Sequence, residues 1–186
     1  MRLHADVATV SIPRYLLEDE RVSVKLVDTI VQIPPGETLV GDQRLSDLRA
    51  CYSVSLPLGL SEVGEAWFAG SGVREVVVPA SVRRICGYAF KDCARLGSVV
   101  LAPGSALEEI GAMAFCGTGL EQFVFPSGVR KVGREAFCLC RQLREVVFAE
   151  GLQILGESCF SETGLVELTL PASLREIGAR VFRGCE

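Results

Sequence analysis

The chain has 186 residues, 49% of them hydrophobic, with a formal net charge of −4 and no asparagine. That length suits one domain with an extended core, and arginines scattered among acids leave no nucleic-acid footprint. No apolar run reaches the 18 residues that a membrane-spanning helix needs, and without asparagine there is no acceptor for N-glycosylation.

Residues 1–44 read as a β-rich N-terminal cap or as degenerate coils. Val7 to Pro13 echoes the strand-then-proline pattern of Cys51 to Pro57. Val22 to Val27 and Thr29 to Ile33 read as extended, with a turn at Pro34-Pro35-Gly36. Arg2, His4 and Asp6 are followed by broken apolar stretches, which does not read as a signal peptide.

From residue 45 to 186 one pattern repeats. A phenylalanine returns at Phe68, Phe90, Phe115, Phe137, Phe160 and Phe182, at gaps of 22, 25, 22, 23 and 22. Around Phe115 lie Ile110, Ala114, Leu120, Phe123, Phe125, Val129 and Val132; around Phe137 the same slots hold Val132, Ala136, Leu143, Val146, Phe148, Leu152 and Leu155. Each slot keeps its apolar character while changing its residue. Such a unit cannot bury its own apolar face, but stacked copies can, so the pattern predicts a solenoid in which each coil touches mainly its neighbours.

Val76-Val77-Val78 and its equivalents at Val99–Leu101, Phe123–Phe125, Val146–Phe148 and Leu168–Leu170 read as short parallel strands, one per coil. Pro79, Pro126 and Pro171 end three of them, because proline lacks the N–H that a ladder needs. A second extended piece is expected over the Val82–Ile85 slots. The column Gly64, Gly111, Gly133, Gly156 and Gly178 suggests a backbone position of positive φ. The Ala–Phe dipeptide is expected to start a short helical turn.

The coils alternate in type. After Phe68, Phe115 and Phe160 comes a hydroxyl–glycine pair (Ser71-Gly72, Thr118-Gly119, Thr163-Gly164), with the next apolar slot five residues beyond the phenylalanine. After Phe90 and Phe137 comes a cysteine (Cys93, Cys140), with the apolar slot six residues on. A duplicated two-coil unit accounts for this.

These residues resemble the BspA-like, treponemal-type leucine-rich repeat, whose pattern reads roughly Ile-Gly-x-x-Ala-Phe-x-x-Cys-x-x-Leu-x-x-Val-x-Ile-Pro. It recurs here as Ile85 through Ala89-Phe90 to Cys93 and Leu96, and as Val132-Gly133 through Ala136-Phe137 to Cys140 and Leu143. The resemblance covers residues 51–186. It implies a mainly β repeat solenoid, a right-handed coil with short parallel strands, and for some members a cell-surface or secreted, adhesive role toward host or matrix proteins. The last repeat stops at Arg183-Gly184-Cys185-Glu186, in mid-pattern, which reads as a fragment of a longer array.

Catalytic chemistry finds little support in the composition. His4 is the only histidine and lies near the terminus, so no nucleophile in the repeats has an evident base. Gly117-Thr118-Gly119 lacks the lysine of a phosphate-binding loop and recurs as a turn. The eight cysteines leave three readings open: buried thiols in small-residue slots, a Cys116–Cys138 bridge between adjacent coils, and a four-thiolate zinc site with Cys93 and Cys140.

The strand face remains. One outward row reads Ser55, Val77, Val100, Val124, Val147 and Thr169; its flanking row reads Ser53, Glu75, Ser98, Gln122, Glu145 and Glu167; a third includes Glu121, Arg144 and Val166. An apolar stripe edged by carboxylates suits a protein partner. Glu75, Val77, Val100, Gln122, Val124, Arg144, Glu145, Val147 and Glu167 are therefore the candidate contact residues of a non-catalytic protein–protein interaction module. The alternative is a rigid spacer or targeting arm of a longer repeat-containing surface protein or enzyme. The partner is an unidentified protein; no cofactor, small-molecule substrate, nucleic acid or membrane insertion is expected.

Overall fold

The computed structural model describes residues 53–185 in full and the backbone of two short segments before them. The extended reading of Val22–Val27, the turn at Pro34-Pro35-Gly36, His4 and Cys51 lie outside the described residues.

Two strands contribute from the N-terminal region: β1 (Thr9–Ser11) and β2 (Ile30–Gln32). They pair in parallel with each other and with β3 (Ser53–Ser55), which continues the ladder to β5 (Glu75–Val78) and β7 (Ser98–Leu101). The same face carries β9 (Gln122–Val124) and β11 (Glu145–Val147), paired only with each other. In-register pairing sets Val54, Val76 and Val99 in one row and Phe123 with Val146 in another.

A second face is built from two-residue strands. These are β4 (Glu62–Val63), β6 (Arg84–Ile85), β8 (Glu109–Ile110), β10 (Lys131–Val132), β12 (Ile154–Leu155) and β13 (Glu176–Ile177), joined in chain order into one unbroken six-stranded parallel sheet. The expected second extended piece is thus present, and shorter than the apolar slots that announced it. Outward residues on and just before these strands pair by charge: Lys131 with Glu109 at 3.0 Å, and Arg83 with Glu108 at 2.9 Å.

Between the two sheets runs the core. Phe68, Phe90, Phe115, Phe137 and Phe160 are fully buried, and their rings stack nearly parallel with centroids 5.0 to 5.3 Å apart. Offset stacking at that spacing adds to the area that each ring removes from water. Phe182 ends the column at 6.1 Å from Phe160 and is 36% exposed.

Among the described residues there is no helix, and the expected helical turn at each phenylalanine is corrected to a corner of tight turns. Alternate amides explain it. Ala66, Phe68 and Gly70 donate to Gly87, Ala89 and Lys91 of the next coil, whereas Ala69 and Ser71 donate back to Ala66 and Phe68. A helix needs every amide to turn back along its own chain; here every second one is claimed by a neighbour. The alternation puts two residues per corner at positive φ, two before and two after the phenylalanine, for example Glu135 (54°) and Leu139 (63°) around Phe137. Side chains tolerate this conformation at a cost of about 1 kcal/mol, which the inter-coil bonds offset.

The glycine column has a different cause from the one expected. Gly111, Gly133, Gly156 and Gly178 do not have positive φ. Each lies against the main chain of the preceding coil: a Cβ on Gly133 would sit 2.7 Å from the amide nitrogen of Ala112, and one on Gly178 2.5 Å from that of Glu157. No Cβ fits there.

One expected strand is missing. Residues Leu168 to Leu170 carry no regular structure, although β5, β7, β9 and β11 form over the equivalent slots. A two- to four-residue strand exists only by pairing, and this segment has no ladder to β11.

Candidate binding face

The strand face is not one continuous sheet. Its ladder is broken twice, between β7 and β9 and again between β11 and residues 167–171. Both breaks fall where a coil of the cysteine type is followed by one of the hydroxyl–glycine type.

At the near end of the first break Gly119 holds the coils together, its missing Cβ only 2.6 Å from the carbonyl oxygen of Ala94. At the far end Gly128 does the same against the carbonyl of Leu107, at 2.7 Å. Between these pins the coils part into an open seam of about 450 Å³, lined by Ser98, Val99, Leu101 and Pro103 on one wall and by Glu121, Gln122, Val124 and Pro126 on the other.

The second seam, of about 630 Å³, lies between Glu145–Phe148 and Glu167–Pro171. Gly164 pins one end against Arg141. Ser173 closes the other, accepting from the Gly151 amide at 2.8 Å and donating to the Leu152 carbonyl at 2.9 Å.

The seams expose core. Val76 and Val78 on β5 are fully buried, while Val99 and Leu101 on β7, and Phe148 and Leu168 at the second seam, are only half-buried. Gln122, Arg144, Glu145 and Glu167 are exposed, and Val100, Val124 and Val147 stand 44%, 60% and 44% exposed. Val77 is half-buried, and so is Glu75, which accepts a hydrogen bond from Ser53 Oγ at 3.2 Å. The seams themselves were missed by sequence reasoning. The six-residue spacing from Phe90 to Leu96 and from Phe137 to Leu143, against five elsewhere, does not announce them, because β5 with β7 and β9 with β11 pair in register across the same difference.

The cysteines serve the stack. Cys93, Cys140 and Cys185 donate to the carbonyls of Phe68, Phe115 and Phe160, one coil back, at 2.8, 3.0 and 3.2 Å. Their sulfurs meet Ser71, Thr118 and Thr163 at 3.4, 3.1 and 3.2 Å. All the described cysteines are free thiols, Cys116 and Cys138 included. Among the described residues no three His, Cys, Asp or Glu side chains converge as metal ligands.

Burial pushes the Cys140 thiol up to about 11 from its ordinary value of 9.0, and the Cys116 and Cys159 thiols to about 12. These thiols keep their protons when folded beyond the pH at which an unfolded thiol loses its own. Their contribution to stability is therefore whole below about pH 9 and is lost as pH rises toward 11 to 12. The urea midpoint is expected to fall across that window, and Cys159→Ala to flatten the fall; an unchanged slope in the variant would contradict the assignment.

A profile of the BspA type leucine rich repeat region matches in six copies, over residues 29–132 and 61–186. The chain belongs to the BspA-type leucine-rich repeat family. No curated protein matches the sequence. Among solved structures, the repeat solenoid is similar to a leucine-rich repeat protein of T. pallidum, at 25% identity and a TM-score of 0.68 over 96% of this chain and 77% of that one. It is also similar to the pneumococcal vaccine antigen PcpA, at 21% identity and a TM-score of 0.67 over 84% of this chain and 43% of that one. A leucine-rich cell surface protein of Faecalibacterium prausnitzii matches at 20% identity and a TM-score of 0.52, over 72% of this chain and 45% of that one. The BspA-type chain thus spans less than half of the last two proteins. No helix among its described residues is long and apolar enough to cross a membrane.

Proposed function

We propose that the strand face is a protein-binding surface and the chain a non-catalytic interaction module. The observation that carries this reading is the contrast between the two faces. The six-stranded sheet meets its own charge needs through the Arg83–Glu108 and Lys131–Glu109 pairs. The strand face instead presents Val100, Val124 and Val147 to water, edged by Glu145 and Glu167. Exposed apolar stripes with a polar rim mark interaction sites. Repeat proteins bind in this manner, with a rigid surface that loses little conformational freedom on association.

On this reading Val77, Val100, Val124 and Val147 supply apolar contact. Gln122 and Arg144 orient the partner by hydrogen bonds, and Glu75, Glu145 and Glu167 favour a basic one. The test pairs the wild-type chain with a variant carrying Val100→Arg, Val124→Arg and Val147→Arg in pull-downs read by mass spectrometry, with circular dichroism to verify folding. A partner retained by the first and lost by the second is the expected result. Identical captures would turn the assignment toward a spacer. Affinity that survives reversal of Glu75, Glu145 and Glu167 would remove the charge part alone.

A further inference from the structure

Among the described cysteines, one pair has a place in the stack that no other pair shares. Cys116 and Cys138 each follow a core phenylalanine directly, in adjacent coils. Cys93, Cys140 and Cys185 share a different column, but they stand two coils apart, about 10 Å at ordinary strand spacing and beyond disulfide reach. The columns of Cys86 and Cys159 offer no cysteine in the neighbouring coils: Gly64 and Gly111 flank the first, Ala136 and Val181 the second.

One coil further on, Ser161 follows Phe160 in the same column, and its Oγ donates to Cys138 Sγ at 3.1 Å. The step from Cys116 to Cys138 repeats that step. The phenylalanine rings beside the residues are 5.2 Å apart in both. The Gly117 amide donates to the Cys138 carbonyl at 2.9 Å, and the Leu139 amide to the Ser161 carbonyl at 3.0 Å. A Cα separation of about 5 Å follows, inside the range that a disulfide spans, and the column brings the γ atoms of successive coils into contact. Burial, and then the neighbouring Cys138, push the Cys116 thiol up to about 12, the electrostatic mark of the same closeness. The two thiols differ in access: Cys116 is buried and Cys138 half-buried. Cys140, the competitor two residues on, is fully buried and donates to the Phe115 carbonyl at 3.0 Å.

We propose that Cys116 and Cys138 form an oxidation site, closing into a disulfide that staples one coil to the next when a small disulfide oxidant such as glutathione disulfide is present. Cys138 Sγ, the more exposed, gives its proton to solvent and attacks one sulfur of the oxidant. One glutathione thiolate leaves and takes a proton back. Cys116 Sγ then attacks Cys138 Sγ, and the second glutathione leaves with the Cys116 proton. Net, one sulfur–sulfur bond breaks and one forms; the protein thiols lose two electrons and the oxidant is reduced to two thiols. The new bond joins residues 22 apart in the sequence, tying the corner before β9 to the corner before β11. Closing that loop removes freedom from the unfolded chain, so the oxidised form resists urea better.

The test incubates the whole folded chain in about 5 mM glutathione disulfide, blocks the remaining thiols with N-ethylmaleimide and maps tryptic peptides by mass spectrometry. Trypsin cuts after Arg130, Lys131 and Arg134, so Cys116 and Cys138 fall on different peptides, whereas Cys138 and Cys140 stay together before Arg141. The expected product is a cross-linked peptide pair about ten-fold more abundant than any other linkage. It is retained in Cys140→Ser, absent from Cys138→Ser and removed by dithiothreitol. Serine already fills both columns, at Ser71 and Ser161, so both variants are expected to fold, which circular dichroism verifies. The urea midpoint of the wild type is expected to rise on oxidation and to return on reduction. A Cys138–Cys140 loop as the main product, glutathione adducts without a cross-link, the same linkage pattern in about 8 M urea, a cross-link that survives Cys138→Ser, or a bridged chain whose midpoint has not risen would each overturn the proposal.

Discussion

Phe137→Ala is expected to cost about 4 kcal/mol of stability, read from urea unfolding by circular dichroism. The ring is fully buried, stacks on Phe115 and Phe160 at 5.2 Å each, and meets Phe123 and Phe125 edge-on at 5.0 and 5.7 Å. No side chain from the next layer can collapse into the space, because every layer is itself held in register by inter-coil amide bonds. The effect should also change the shape of the transition. In a stack where each coil contacts only its neighbours, a hole in the middle weakens the coupling between the halves. A single unfolding step in the wild type is therefore expected to broaden or divide. Phe182→Ala is the internal control: the ring has one stacking neighbour and is already 36% exposed, so about 1 kcal/mol is expected. Equal losses at the two sites would mean that the column is not what holds the coils together.

Gly133→Ala is the second large effect, about 3 kcal/mol destabilising, with the same measurement. Its new methyl would meet the Ala112 amide nitrogen at 2.7 Å and the Gly111 carbonyl carbon at 2.7 Å, both main-chain atoms fixed by the strands beside them. The clash can be relieved only by raising one whole coil off the next. Gly97→Ala provides the contrast: its nearest obstacle is the Gly119 carbonyl oxygen at 3.9 Å, an ordinary contact, so the change should be neutral or slightly stabilising through a stiffer unfolded chain. If Gly133→Ala were as mild as Gly97→Ala, the close approach of successive coils at that column would be wrong.

The apolar slots and the phenylalanine column were legible in the sequence because stacking imposes one condition on every coil, and recurrence displays that condition directly. The glycine column was equally visible, yet its reason was not. A glycine that bends the chain and a glycine that lets another chain approach look alike until the neighbour is in place. The helical reading of the Ala–Phe corner failed for a related cause, since the amides of Ala66, Phe68 and Gly70 are committed to residues one full coil away. Leu168–Leu170 has the side-chain pattern of a strand, but pattern supplies only the face; an edge to pair with has to be supplied by the fold. The nine candidate contact residues were placed outward because they fall between the apolar slots, and Val100, Val124 and Val147 are exposed as that placement requires. The seams beside them depend on which neighbouring strands pair, and that is visible only when the coils are stacked.

The two broken ladders lie on one side of the molecule, while the opposite six-stranded sheet runs through unbroken. The solenoid is therefore a beam with unequal faces. Bending that spreads the broken side stretches no strand ladder at the two gaps, only the bonds that Ser173 and Glu150 make at the edge of the second, whereas bending the other way has to pull apart β6, β8, β10 and β12 in turn. Compliance is directional, and it is concentrated on the proposed binding face at joints spaced two coils apart.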